Sequence, residues 1–359
     1  MSAIEELLPE SPFSLSKSEK RELYTNELER LTRNAYENCA EYRKILDILD
    51  FDPRVKHHPE DYPFLPVRLF KDYDLLNIPR GSVVKTMTSS GTTGQKVSKI
   101  YLDRTTSTNQ TKVLTKICSE FLGNKRRPML IIDSKSVLKD RNMFSARGAG
   151  IIGFSMIGRS ATYALDEDMR LDVNAVNGFL EKYDGEPKLL FGFTSIIWEH
   201  FYKELVRLNL KLDLDGSVMI HGGGWKKLVD QQVDNETFKN SLKSRCGNIT
   251  VLNYYGMVEQ TGSIFMECEC GRLHASNYSD IIIRDPKDFS VCGVGEQGLV
   301  QLVSLLPESY PGHSILTEDI GELIGEDDCP CGRHGKTFAI HGRIKNAEIR
   351  GCSDTYERK

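Results

Sequence analysis

Through the middle of the chain, short apolar runs keep giving way to charged stretches with helical spacing. "PMLIID" is the first such run; "KLLFGF" leads into "TSIIWEHFYKELVRLNL", and "GSVMIHGGG" into "WKKLVDQQV". Runs this short and this apolar are strands buried on both faces, and alternation with helices implies an α/β domain with a substantially parallel sheet. Such a sheet gathers its ligands in the loops at the carboxyl ends of its strands, so those loops are where function is expected.

The flanks read differently. From Ser16 to Leu49, Leu, Tyr and Ile recur at helical spacing among charges, which predicts one long or two shorter amphipathic helices. "HHPEDYPFLPVRLFKDYDLLNIP" follows as a linking stretch broken by prolines, and from "GEQGLVQLVSLL" onward short strands mix with turns. A chain of 359 residues with 39% hydrophobic content builds a real core as one large domain or two ordinary ones. The division expected is an N-terminal helical and Pro-rich segment, 1–80, packed on a core, 81–341, with a short tail, 342–359.

Charge excludes some partners. Forty-seven basic and 51 acidic residues, intermixed to a net −4, give no general attraction to nucleic acid or to an anionic membrane. The apolar runs, such as "GIIGFSMIG", are far short of the roughly 20 residues that span a bilayer. "MSAIEELLPESPF" is acidic and Pro-broken, unlike a secretory signal, so a cytoplasmic location is expected.

Three loops leave predicted strands with unusual chemistry. "SSGTTG", Ser89 to Gly94, combines hydroxyls with glycines that let backbone N–H groups approach phosphate oxygens, although its spacing is not that of the NTPase P-loop and a surface turn has the same composition. "HGGGWK", His221 to Lys226, offers bare backbone for a flat ligand. "YYGMVEQ", Tyr254 to Gln260, offers an aromatic face for stacking and a carboxylate for a divalent cation.

Together with "LTEDIGEL" and "HGRIKN", taken in chain order, these loops resemble the adenylate-forming ligases, which join a carboxylate to ATP as acyl-AMP. Within that superfamily, "PVRLFK", "TSSGTTG", "HGGGWK" and the late "RGCS" are most similar to the acyl-protein synthetases of bacterial bioluminescence, the long-chain fatty acid luciferin-component ligase family. The resemblance implies an α/β fold like the N-terminal domain of those ligases, with mixed and parallel sheets flanked by helices and without their usual C-terminal lid. It implies ATP phosphate contacts from Ser89, Ser90, Gly91, Thr92, Thr93 and Gly94, adenine contacts near Gly223, Gly224 and Tyr255, and ribose contact at Asp319. It also implies Mg²⁺ near Glu259 and a nucleotide contact at Arg343. Lys96, Lys226 and Lys345 are candidates for the positive charge that the lid supplies elsewhere. The implied activity is ATP-dependent acid–thiol ligation of a carboxylic acid, a fatty acid by the family's habit, through Cys352 to a partner protein such as an acyl reductase. The alternative is direct transfer to CoA, a carrier protein or an amine, as in the phenylacetate-CoA ligase type.

Nine cysteines in a reducing compartment are metal ligands, nucleophiles or core residues. "CECGRLH" and "CPCGRHG" each hook two thiols around a glycine, and Cys268, Cys270, Cys329 and Cys331 can surround one structural Zn²⁺. The single-residue spacing within each hook leaves His274 open as a replacement for one of the first pair. The region 268–331 is the expected zinc-binding insert of the core. Cys352, close to Arg350 and a few residues from Lys359, is the candidate acyl acceptor because a flexible tail can carry a thiolate to the acyl-adenylate and onward.

Overall fold

The computed structural model describes residues 2–89, 96–138 and 144–344 and divides them into two compact units. One is formed by residues 121–255, the other by the segments before and after it.

The alternation read from the sequence is the architecture of the first unit. Strands β1 (Arg127–Ser134), β2 (Gly158–Leu165), β3 (Leu189–Phe193), β4 (Val218–Gly222) and β5 (Thr250–Tyr255) run parallel in the order β5-β4-β3-β1-β2. Every residue of β3 and β4 is buried, which is why both read as unbroken apolar runs. The strands pack Leu130, Ile132, Leu190 and Met219 against Phe179, Trp198, Phe201 and Phe238 from the helices. The "TSIIWEHFYKELVR" helix forms over Thr194–Arg207, with a π-helical stretch at Ile197–Tyr202. Chain order reverses between β1 and β3, so their carboxyl ends make the switch point of this sheet.

The other unit is antiparallel. Strands β6 (Phe265–Glu267), β7 (Leu273–His274), β8 (Ser279–Arg284), β9 (Gln297–Ser304), β10 (Ser314–Glu326) and β11 (Lys336–Arg343) lie in the order β8-β9-β10-β11-β7-β6. The two amphipathic helices expected near the N-terminus are Lys17–Asn38 and Ala40–Ile48. Ser16 and Glu19 cap the first, and Tyr24, Leu28, Leu31, Ala35, Tyr42 and Leu46 form the buried faces. The Pro-rich stretch is more than a link: Leu65 and Pro66 add a parallel pairing to Ile315 and Leu316, and the turn of helix Leu69–Asp72 follows at once. A hairpin of Lys85–Thr88 and Lys99–Leu102 completes the unit. The mixed α/β class expected from the sequence is the class observed. No described helix is long and apolar enough to cross a membrane.

At the carboxyl end of β1, Asp133 is fully buried and grips Arg147 of the helix Ala146–Ser155 in a two-pronged ion pair, with Nε to Oδ2 at 2.7 Å and Nη2 to Oδ1. A buried charge whose partner is removed is destabilising by about 3–5 kcal/mol, far more than an exposed pair contributes. Asp133→Asn should therefore lower the unfolding free energy by about 3 kcal/mol in urea titration. A loss below about 1 kcal/mol would mean that water reaches Arg147.

Candidate functional site

In the antiparallel unit, residues far apart in sequence meet around one carboxylate. The hairpin neck comes first: the Ser89 amide donates to the Ser98 carbonyl at 3.1 Å, and the Ser98 amide donates to Ser89 Oγ at 2.9 Å. The loop that this neck holds, with Ser90, Gly91, Thr92, Thr93 and Gly94, lies outside the described residues. Ser98 is fully buried, and its hydroxyl faces the carboxyl group of Glu259, itself only 5% exposed. Glu259 sits on the single 3₁₀ turn Val258–Gln260. Burial pushes its carboxyl above the ordinary value, while the Ser98 hydroxyl and the charges of Lys71 and Arg343 pull the other way. Arg343 faces Asp319 across the β10–β11 ladder, and its Nε donates to Asp319 Oδ1 at 3.1 Å.

Four of the residues singled out from sequence, Ser89, Glu259, Asp319 and Arg343, are thus joined by a run of neighbouring groups within one unit. Two members of that run, Ser98 and Lys71, were not anticipated. Lys71 lies in "PVRLFK", on the short helix that follows the Leu65–Pro66 pairing, and its electrostatic reach to Glu259 depends on a sheet contact no local pattern announces. Arg68, from the same stretch, pairs with Glu318 next to Asp319. Lys71, Lys96 and Lys99 border an open depression of about 500 Å³ with Asp72 and Asp74. Lys96, one of the candidate cations, pairs there with Asp72 at 3.3 Å. Three lysines and two aspartates thus share this rim, and Lys71 links it to Glu259 through its charge. Lys345 and Cys352 lie outside the described residues.

The parallel unit carries the other singled-out residues at its strand ends. Gly222 closes β4 opposite Tyr254 of β5, and a Cβ at 222 would come within 2.5 Å of the Tyr254 ring. Gly223 has φ +79°, a conformation that favours glycine, and both it and Gly224 are exposed. Tyr255 is half-buried at the end of β5. His221 is fixed from below: its Nδ1 shares a hydrogen bond with Thr194 Oγ1 at 2.9 Å, and Thr194 Oγ1 also donates to the Gly222 carbonyl at 3.2 Å. Burial lowers its pKa to about 3, so the imidazole is neutral and acts as a brace between β3 and β4.

The cysteine hooks also converge, with one change of ligand. Cys268, His274, Cys329 and Cys331 bring their ligand atoms within 4.8 Å of one another. Cys270, expected as the fourth ligand, is exposed and outside this group. The reason is the tightness of the first hook. The Cys270 amide donates to Cys268 Sγ at 3.3 Å and the Gly271 amide to the Cys268 carbonyl at 2.9 Å, and with Gly271 at φ +75° the turn sends the second thiol outward. His274, at the end of β7, takes its place. Tetrahedral Zn²⁺ with bonds of about 2.3 Å to sulfur and about 2.0 Å to nitrogen has edges of about 3.8 Å and about 3.5 Å. The Cys268–Cys329 sulfurs are 3.8 Å apart, and Cys331 Sγ is 3.4 Å from His274 Nε2. Burial lowers the His274 pKa to about 4, keeping the neutral form a metal needs. Burial raises the Cys331 thiol, but the Arg333 backbone, the Cys329 and Cys268 thiols and the Arg333 guanidinium together outweigh it and leave Cys331 below its ordinary value. The donor set therefore fits a closed four-ligand site.

Comparison with known proteins bears on the family and the fold. The chain is 23% identical to the long-chain-fatty-acid--luciferin-component ligase of Vibrio harveyi over 357 residues, covering 96% of this chain and 89% of that one. It is 25% identical to the phenylacetate-coenzyme A ligase of Thermus thermophilus, covering 94% of this chain and 73% of that one. Among solved structures it shares its fold with a 2-hydroxyisobutyryl-CoA ligase, with a TM-score of 0.70 at 15% identity over 93% of this chain and 77% of the other. The family model described as acyl-protein synthetase, LuxE matches residues 1–359, and the chain belongs to that family.

Proposed function

We propose that this ATP-dependent adenylate-forming ligase is an acyl-protein synthetase that loads a carboxylic acid, a fatty acid by analogy with its family, onto its own Cys352 for delivery to a partner protein. The observation that carries the reading is the convergence of Ser89, Ser98, Lys71, Glu259, Arg343 and Asp319 in one unit. In the first step a carboxylate oxygen attacks the α-phosphorus of ATP, and pyrophosphate leaves. Negative charge builds on the phosphoryl oxygens, which hydroxyls and N–H groups of the 89–94 loop, the Lys71 ammonium and the Arg343 guanidinium can offset. Glu259 would hold Mg²⁺, whose part is to neutralise phosphate charge, and Asp319 would accept from the ribose hydroxyls. Gly223, Gly224 and Tyr255 are assigned to adenine. In the second step the Cys352 thiolate attacks the acyl carbon, the bond from that carbon to the AMP oxygen breaks, and AMP departs. The Cys268–His274–Cys329–Cys331 cluster would hold structural Zn²⁺, since four protein ligands leave no open position for substrate. Cytoplasmic residence follows from the same reading, because the thiols must stay reduced.

Adenylation is tested by acid-dependent exchange of labelled pyrophosphate into ATP over a panel of carboxylic acids. Glu259→Gln should reduce exchange at least about tenfold at limiting Mg²⁺. The pH profile gives the sign. The cation needs the ionised carboxylate, and burial holds the Glu259 pKa above its ordinary 4.5, so the Mg²⁺ requirement should climb as pH falls while still above 4.5. Before the cation binds, the raised pKa means that folding favours the protonated form over the ionised one. That contribution to stability is complete below about pH 4.5 and is lost as pH rises through the raised value. Exchange in Glu259→Gln with wild-type Mg²⁺ and pH dependence would remove Glu259 from the site.

Acyl transfer is read separately. Incubation with ATP and a labelled acid should leave hydroxylamine-sensitive label on the protein, and Cys352→Ser should abolish the label while preserving pyrophosphate exchange. Label persisting in the mutant, or appearing only on added CoA, would favour direct transfer of the kind the phenylacetate-CoA ligase name describes.

For the metal, purified protein should contain about one zinc per chain by elemental analysis. Cys329→Ser and His274→Ala should lose the metal and several degrees of melting temperature, whereas Cys270→Ser should keep both. Metal-free protein prepared without chelator, or equal losses on changing Cys270, would overturn the assignment.

A further inference from the structure

Behind Glu259 runs a strap, "ESYPGHS", Glu308 to Ser314, buried along most of its length. Its centre is Tyr310, whose side chain is fully buried and whose hydroxyl donates to the Glu259 carbonyl at 2.8 Å. Gln260, the next residue, donates through Nε2 to the Gly312 carbonyl at 2.8 Å and to the Leu302 carbonyl at 3.1 Å. The short turn bearing the carboxylate is therefore pinned on both sides of its central peptide, one pin being the Tyr310 hydroxyl.

The strap is shaped around that ring. The Gly312 amide turns back to the Tyr310 carbonyl at 2.8 Å, and a Cβ at 312 would lie 2.1 Å from a Tyr310 ring carbon, so the turn requires glycine for the ring to stand where it does. Phe70 packs edge-on against the same ring at 6.2 Å, and Phe70 directly precedes Lys71. One side chain thus touches the backbone of Glu259 and the neighbour of Lys71, whose charge acts on the Glu259 carboxyl. The strap itself is fastened elsewhere. Arg30 binds both Glu308 carboxylate oxygens, Asn77 Nδ2 donates to the Glu308 carbonyl, and Ser309 Oγ donates to the Tyr101 carbonyl at 2.8 Å.

We propose that Tyr310 is a positioning residue that sets the Glu259 carboxylate for its divalent cation; the inference rests on the reading of Glu259 as the cation ligand. A tyrosine that only fills space would give up stability when its hydroxyl is removed but would not change how the cation is held. The two roles separate by measurement.

Tyr310→Phe keeps the ring against Phe70 and Gly312 and removes only the donor. Ser309→Ala removes a buried donor from the same strap without touching the Glu259 turn, and Glu259→Gln serves as the reference. Each variant is assayed for Mn²⁺ affinity in the presence of a non-hydrolysable ATP analogue, by electron paramagnetic resonance, together with its melting temperature. Tyr310→Phe should weaken Mn²⁺ binding by at least about threefold, the effect of one lost hydrogen bond of ordinary strength. Ser309→Ala should stay within about twofold of wild type while also melting lower. If Glu259→Gln weakens binding but Tyr310→Phe does not, Tyr310 is a core residue and the inference fails alone. If Ser309→Ala weakens it as much, the effect is general loosening and the inference fails again. If Glu259→Gln leaves Mn²⁺ affinity unchanged, the reading of Glu259 fails and takes the role of Tyr310 with it.

Discussion

Taking a carboxylate out of water is costly unless something in the fold compensates it, and Glu259 is almost wholly buried. Much of the antiparallel unit can be understood as compensation for that one group. Lys71 comes from a stretch that reaches the site because Leu65 and Pro66 join the sheet beside Ile315 and Leu316. Arg343 comes from the far end of β11, aligned with Asp319 through a ladder whose register slips between Ile320 and Gly321. The slip coincides with Gly321, where a Cβ would lie 2.6 Å from the Ala339 carbonyl oxygen, so close strand approach and the absence of a side chain go together. The charges of Lys71 and Arg343 do not bring its pKa back to the ordinary value, which leaves it receptive to a further positive charge.

The parallel sheet was legible because it is written locally. Strands β3 and β4 are apolar from end to end, the helices after them keep their period, and the glycines of "HGGG" mark where the strand must stop. The family membership was legible from motifs in chain order, "SSGTTG", "YYGMVE", "LTEDIGEL" and "HGRIKN", a signal that survives without any knowledge of contacts. What escaped was set by distance. Lys71 looks like one more surface lysine on a Pro-rich stretch until the sheet pairing is known. Ser98 follows a run of small polar residues in the sequence, and only the hairpin neck gives it a place near Glu259. Cys270 against His274 was undecidable from spacing, because a hook with one intervening residue can present either thiol, and hydrogen bonds to Cys268 decide which one turns away.

In the parallel unit the same problem, a polar group in a dry place, is solved by pairing rather than by a cluster. Asp133 and Arg147 neutralise each other at the switch point of the sheet, and His221 stays uncharged while bracing β3 to β4 through Thr194. Both arrangements lie directly beneath strand ends that carry exposed glycines or loops. Rigid support below and bare backbone above is the combination that lets a strand-end loop hold a ligand without rearranging.

The cysteine cluster has structural reach beyond its four ligands. Residues 7–20 attach to the unit almost entirely through groups that lie within six positions of a ligand. The Asn277 amide donates to the Pro12 carbonyl and Asn277 Nδ2 to the Ser11 carbonyl; the Tyr278 hydroxyl reaches the Leu7 carbonyl; and Lys20 Nζ donates to the Ser279 carbonyl. From the second hook, the His334 amide donates to the Phe13 carbonyl, and Asp327 accepts from the Lys17 amide at 2.7 Å. Phe13 itself is buried with its edge toward the His274 ring at 6.0 Å. Backbone groups of Asn277, Ser279 and His334 and side chains of Asn277, Tyr278 and Asp327 share this work, so the attachment depends on the path of the 275–280 and 327–334 segments as well as on side-chain identity. Those paths in turn are fixed where two hooks, 61 residues apart from Cys268 to Cys329, must bring their sulfurs within 3.8 Å. An ion that closes the cluster would therefore also order the start of the chain, and through it the helix Lys17–Asn38, whose Arg30 grips Glu308 at the head of the strap behind Glu259.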